Sequence, residues 1–193
     1  MSPPSSKCLW GRDFPPFSSC RPPTSIATAV LLGGYRGGWL SASTLLGLHL
    51  DERQVRQVGA SLGNGVVALL PATACPLAEV ARVVRYMAGQ GDGQCGPCRH
   101  GLASLVEEVE HCAFGPASYH RGVRPMLELC DLIDGRGACQ HPDGIARFVR
   151  SACGVFGHEI AAHQERGPCS RAAGPTHLPI PQATGPQPSG GRR

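Results

Sequence analysis

From residue 26 onward the chain shows two hydrophobic rhythms. "IATAVLLG" at 26–33 is an unbroken apolar run that stops at Gly33 and Gly34, the pattern of a buried strand ending in a turn. "YRGGWL" follows and leads into a loop. "DERQVRQVGASL" at 51–62 predicts a helix with Asp51 as its N-cap. "GNGVVALLP" at 63–71 then predicts a turn and a second short strand. Two strands around one short helix make an incomplete α+β unit, small for a core of its own.

From residue 76 the period lengthens to that of helices. "PLAEVARVVRYMAG" aligns Leu77, Val80, Val84 and Met87 on one face, with Pro76 in the first turn, where its missing N–H costs nothing. "CRHGLASLVEEVEHC" aligns Leu102, Leu105, Val106 and Val109. "VRPMLELCDLIDG" aligns Met126, Leu127, Cys130 and Ile133, with Gly135 as its stop. "DGIARFVRSACGVFGHEIAAH" carries Ile145, Phe148, Val149, Ala152, Phe156 and Ile160 along one stripe. Four helices joined by short or moderate loops predict a small bundle, with these stripes as its core.

Both ends differ from this middle. Residues 1–25 are rich in Pro and Ser without an apolar period, and residues 166–193 include "GPCSRAAGPTHLPIPQATGPQPSGGRR". Neither stretch has enough apolar surface to offset the entropy of ordering, so both read as disordered tails. The expected organisation is a tail at 1–25, a strand-containing segment at 26–72, a helical domain at 76–165 and a second tail at 166–193.

Charge narrows the function only a little. The formal net charge is +4, and Lys7 is the single lysine among 18 basic residues. No compact Lys/Arg block or interleaved aromatics accompany it, which argues against nucleic-acid binding. No run of 18 apolar residues is present, so no membrane span is expected. The opening "MSPPSSKCLWGRDF" lacks a basic n-region followed by an apolar h-region, and a cytoplasmic location is the expectation.

Ten cysteines in a reducing compartment need an explanation other than disulfides. Cys112, Cys130 and Cys153 lie in or beside helical stripes, where a small buried thiol is common. Cys8, Cys20 and Cys169 fall in the tails, where no role is expected. Cys95, Cys98 and Cys139 sit in Gly-rich loops, which suit ligands better than core residues. His158-Glu159 does not begin a zinc-binding H-E-x-x-H, because position 162 is Ala.

Within "QGDGQCGPCRHG" at 90–101, the pair Cys95-x₂-Cys98 fits structural zinc, a redox dithiol or part of an iron–sulfur site. A thioredoxin-like dithiol would follow a strand, whereas here a helix and a glycine loop precede it. Zinc would need Cys139 and one of His100, His141 or Asp92 as further ligands.

"GDGQCGPCRHG" resembles the cluster motif C-G-x-C-x-P-C-R-x-G found in the family of the flavoprotein (51 kDa) subunit of NADH:quinone oxidoreductases. The resemblance extends over residues 28–162. "LLGGYRGGWL" at 31–40 is similar to the glycine-rich turn of that family's ubiquitin-like SLBB (β-grasp) domain. "VGASLGNGVVALL" at 58–70 is similar to the stretch before its helical domain, and "LIDGRGACQHPDG" at 132–144 to the loop that supplies its last cluster cysteine. The fold implied is α+β: a partial SLBB segment followed by a four-helix iron–sulfur binding domain.

Carried over residue by residue, Cys95 and Cys98 match the second and third motif cysteines, Arg99 the arginine after them, and Cys139 the distant fourth. Asp92 stands where the family has its first cysteine. The resemblance thus implies a [4Fe–4S] cluster on Cys95, Cys98 and Cys139, with Asp92 as fourth ligand. The alternative outcomes are an open iron position, a labile or three-iron [3Fe–4S] form, and a site completed by another protein. A carboxylate is harder than a thiolate and exchanges more readily on such a cluster.

No loop close to G-R-G-G-A-G-F occurs in the 193 residues, and "GGYRGG" at 33–38 does not have the order that phosphate binding needs. The expectation is therefore an electron-transfer component without its own FMN or NADH site. Its partner would be a redox protein carrying flavin, haem or another iron–sulfur cluster. The competing expectation is a non-redox interaction or assembly module whose cysteines hold zinc or nothing.

Overall fold

The structure is a computed structural model, and it describes residues 27–181 apart from positions 47, 49, 50 and 120. The expected tail at 1–25 lies outside the described residues, as do positions 182–193. Three antiparallel strands form one sheet in the order β2-β1-β3. They are β1 (Ala27–Leu32), β2 (Gly38–Ser41) and β3 (Val67–Pro71). The helices are α1 (Ala42–Leu46), α2 (Glu52–Gln57), α3 (Pro76–Gly89), α4 (Leu102–Phe114), α5 (Arg124–Ile133), α6 (His141–Val155) and α7 (Gly157–Arg166). The chain is an α+β fold.

The strands form where the apolar runs predict, with one addition. At the end of "YRGGWL", expected to lead only into a loop, residues 38–41 form β2, which pairs with β1 from Ala29↔Ser41 to Leu32↔Gly38. Four residues are too few for a period to register. They become a strand because β1 offers a free edge and Trp39 finds a pocket among the helices. The connection is a 3₁₀ turn at Gly34–Arg36. Gly33 enters it at φ +84°, and a Cβ there would stand 2.1 Å from the carbonyl oxygen of Ser61, so only glycine fits.

α2 is shorter than the predicted 51–62. Asp51 caps it as expected, its Oδ1 accepting from the Gln54 amide at 2.9 Å. Gly59, at φ +74°, lies just beyond its end. α3 runs from Pro76 to Gly89 as the pattern requires, and Leu77, Val80, Val84 and Met87 are all buried.

Among the described residues, the expected four helices from residue 76 are five. The last predicted stripe breaks at Phe156, where the backbone (φ −104°, ψ 23°) leaves helical values between α6 and α7. Gly154 and Gly157 flank the break and supply little helical preference there. The bend keeps Phe156 buried, its ring 5.1 Å from that of Trp39, while Phe148 lies 5.7 Å from Trp39 on the other turn. Sheet and helices share one apolar core through these contacts: Leu31, Trp39 and Leu70 lie in the same buried cluster as Val84, Leu105, Ile133 and Phe148.

The second expected tail is corrected by the structure over its first half. Residues 167–181 lie along the N-terminal end of α3, and Leu178 is buried in the common core. Polar anchors offset the ordering cost of this Pro- and Gly-rich stretch. The amides of His177 and Leu178 donate to the buried Glu79 carboxylate at 2.8 and 3.0 Å, and Arg171 Nη1 donates to the Ala72 carbonyl at 2.9 Å. Tyr35 adds a hydroxyl bond to the Pro179 carbonyl. No described helix is long and apolar enough to cross a membrane.

Candidate functional site

The three Gly-loop cysteines lie at the leading ends of two helices. Cys95 and Cys98 follow the loop after α3, and Cys98 belongs to a π-helical turn, Pro97–Gly101, that runs directly into α4. Such wide turns concentrate at functional positions because they reorient side chains within a helix. Cys139 lies in the α5–α6 connection, two residues before α6. Helix N-termini carry unsatisfied amides and positive potential, a setting that favours thiolates and anionic groups.

Packing holds the π-turn against α5. A Cβ on Gly101 would sit 2.8 Å from Cγ1 of the fully buried Ile133, so glycine permits the approach of the turn to the end of α5. Gly91 lies on the inner side of the loop, its Cβ position 3.5 Å from both Cys98 Sγ and His141 Cδ2.

The Cys139 loop is tied at several points. Gly135 N donates to Asp143 Oδ1 at 3.1 Å, and Arg150 bridges Asp131 and Asp134 at 2.7 Å each. Arg36, from the turn between β1 and β2, donates to the Gln140 carbonyl at 2.9 Å. His141 Nε2 lies 2.8 Å from the Met87 carbonyl. Because a carbonyl only accepts, Nε2 carries the proton, and α6 is pinned to the end of α3 from which the Cys95 loop departs.

Thiol chemistry follows from these positions. The amides of Ala138, in the Cys139 loop, and of Cys98 draw the Cys95 thiol below its ordinary value. Cys98 is pushed up, first by burial and then by its neighbours Cys95 and Cys139. The sequence-predicted cysteines come from two separate loops, Cys95 and Cys98 from the one after α3 and Cys139 from the one before α6. Cys95 and Cys98 are half-buried and Cys139 is exposed. Asp92 is exposed, and the contact made by its residue is backbone, its carbonyl accepting from Gln94 Nε2 at 3.5 Å. His100 is exposed on the π-turn.

A second constellation was not legible in the sequence. Among the described residues, Cys75, His163 and Cys169 have ligand atoms that all lie within 4.8 Å of one another; Cys95, Cys98 and Cys139 are not gathered that tightly. Cys75 immediately precedes α3, His163 lies in α7, and Cys169 begins the 3₁₀ turn Ser170–Ala173. Their only local signal is an H-x₅-C spacing in a stretch that composition assigned to a tail. Cys112, Cys130 and Cys153 are buried as expected, and burial raises the first two to about 12 and the third to about 11.

Comparison with known proteins bears on this geometry. Residues 78–163 match the family model of the NADH-ubiquinone oxidoreductase-F iron-sulfur binding region. The chain is 32% identical over 124 residues to the F subunit of NADH-quinone oxidoreductase from Mycobacterium bovis and from Mycobacterium tuberculosis, a match covering 64% of this chain and 28% of each relative. It is 29% identical over 143 residues to the F 2 subunit of NADH-quinone oxidoreductase from Rhizobium meliloti, covering 73% of this chain and 33% of that relative. The chain thus spans a third or less of the length of these curated relatives. Cys95, Cys98 and Cys139 fall inside the family match, whereas Cys75 and Cys169 fall outside it.

Proposed function

We propose that this chain, whose residues 78–163 match the model of the NADH-ubiquinone oxidoreductase-F iron-sulfur binding region, carries single electrons within an oxidoreductase complex, through a cluster held by Cys95, Cys98 and Cys139. The observation that supports the proposal is the placement of Cys95 and Cys98 at the π-turn leading into α4 and of Cys139 just before α6, all inside the family match. Three soft thiolates suit iron in an iron–sulfur core, and the bound cluster would supply reversible one-electron exchange.

The chain's own residues do the holding and the tuning. Cys95 is already drawn toward its thiolate by the Ala138 and Cys98 amides, so it gives up its proton readily on binding. Gly91 leaves room beside Cys98, and Arg36, Asp143 and Arg150 hold the Cys139 loop against the π-turn. The exposed Asp92 is assigned to the fourth iron in a [4Fe–4S] form. Its exposure makes that ligand exchangeable, and loss of that iron leaves a [3Fe–4S] form. FMN and NADH chemistry is assigned to a partner, a redox protein carrying flavin, haem or a further cluster.

The test is iron and acid-labile sulfide per chain after anaerobic reconstitution, with EPR of oxidised and dithionite-reduced samples and Cys139→Ala as control. About four irons and four sulfides per chain, lost in the control, support the reading; three irons with an oxidised-state signal support it with Asp92 unbound. Iron at background in every preparation overturns it. A colourless chain with zinc or nothing on these cysteines would then be an assembly module, the role that an aspartate in place of a cysteine at position 92 also favours.

A further inference from the structure

The Cys75–His163–Cys169 group stands apart from the proposed cluster. It joins three segments distant in sequence: the β3–α3 junction, α7, and the C-terminal stretch that lies along α3. Cys75 and His163 are buried, and Cys169 is half-buried.

The imidazole is already oriented as a ligand. His163 Nδ1 lies 3.2 Å from the Cys112 carbonyl, which can only accept, so Nδ1 carries the proton. The Cys169 amide donates to Nε2 at 3.3 Å, which independently requires a lone pair there. Cys75 Sγ lies 3.8 Å from the same nitrogen, and the ligand atoms of all three residues lie within 4.8 Å of one another. A ring whose far N–H is held by a backbone carbonyl is the arrangement that metal-binding histidines adopt, since it fixes both tautomer and ring plane.

We propose that Cys75, His163 and Cys169 form a Cys₂His site for a zinc ion, which fastens the C-terminal segment to the helical core. Thiolate and imidazole are the donors Zn²⁺ prefers, and three protein ligands leave its fourth position to water or a small anion. Binding releases the two thiol protons and moves the Cys169 amide off Nε2. The resulting unit of one Zn²⁺ and two thiolates is neutral, which suits a largely buried position. Burial raises the Cys75 thiol to about 11. At Cys169 burial also raises the pKa, but the Cys75 thiol and Arg171 outweigh it and bring that thiol down. Both thiols must lose their protons to bind the ion, so affinity rises with pH.

The experiment uses the full chain carrying Cys95→Ser, Cys98→Ser and Cys139→Ser, so that failure of the cluster reading cannot affect its outcome. The protein is reduced, freed of metal and titrated with Co²⁺ and then Zn²⁺. One cobalt per chain with thiolate-to-cobalt charge-transfer absorption, displaced by one zinc, is the expected result. Adding Cys169→Ser, a half-buried position outside the helices, should leave the far-ultraviolet dichroism unchanged. It should weaken cobalt binding beyond the roughly 10–100-fold that loss of a merely supporting partner costs. Zinc should also raise the melting temperature of the first chain and not of the second. Absence of the charge-transfer band in the folded chain, or its survival in the Cys169→Ser chain, would overturn the proposal. So would a Cys75–Cys169 disulfide in freshly isolated protein, seen as a linked peptide in mass spectrometry.

Discussion

Arg36 Nη2 donates to the carbonyl of Gln140 across 104 positions of sequence, joining the turn between β1 and β2 to the residue beside Cys139. The same side chain covers the start of α6, where a Cβ on Gly144 would come within 3.0 Å of Arg36 Nε. The sheet therefore does more than extend the core: it helps position the loop that carries the third thiol.

Removing that tie should be felt at the site more than in the fold. Arg36→Ala deletes one exposed hydrogen bond, and a stability loss of about 0.5–1.5 kcal/mol is expected in urea unfolding. Release of iron from the reconstituted chain to a chelator should be several-fold faster than in the parent. Unchanged release kinetics would mean that the loop is held without Arg36.

Gly101 offers a sharper test of packing. Alanine favours helix over glycine by about 1 kcal/mol. Here, however, its methyl would meet Cγ1 of fully buried Ile133 at 2.8 Å, and overpacking of this kind costs about 1–3 kcal/mol. Gly101→Ala should lower the melting temperature and loosen the Cys98 turn. A rise in melting temperature would show that Ile133 moves aside freely.

Glu79 anchors the C-terminal segment. Its buried carboxylate accepts from the His177 and Leu178 amides and pairs with Arg82 at 2.9 Å. Glu79→Ala removes these acceptors at once, leaving the buried Leu178 amide unsatisfied and the partly exposed Arg82 to water, a loss of about 1–3 kcal/mol. Hydrogen exchange should show residues 174–181 losing protection before the helices do. Uniform loss of protection would mean that the segment is not an independent strap.

Alkaline pH should destabilise the metal-free chain. Cys112 and Cys130 titrate at about 12 and Cys75 and Cys153 at about 11 when folded, raised in each case first by burial. An unfolded thiol titrates near 8.5, so above that pH the unfolded state holds fewer protons than the folded one. Their stabilising effect is complete below about pH 8.5 and is lost progressively toward pH 11–12, by up to about 1.4 kcal/mol per pH unit for each thiol. Urea midpoints at pH 7.5, 9 and 10 should fall in that order. In the folded chain, iodoacetamide should modify Cys95 well before Cys112 or Cys130; equal rates would contradict the burial described here.

The helices were legible because their information is local. The stripes of α3, α4, α5 and α6 repeat at helical spacing, Asp51 and Pro76 mark starts, and each stripe is buried except at Val106 and Leu127, which are half-buried. Cys95 and Cys98 stood out as a short-range C-x₂-C signal beside glycines, and Cys139 joined them only through the family resemblance. Residues decided by tertiary contact left no such trace. β2 exists through pairing with β1, and the break at Phe156 through the Trp39 ring. Residues 167–181 pack because the Glu79 carboxylate faces two of their amides, although their composition alone argues for a tail. Cys75, His163 and Cys169 meet only after the sheet, α7 and the C-terminal segment have docked. Periodicity and caps report the energetics of neighbours in sequence, whereas a site built from three docked segments depends on where the shared core brings them, and that is set by tertiary packing.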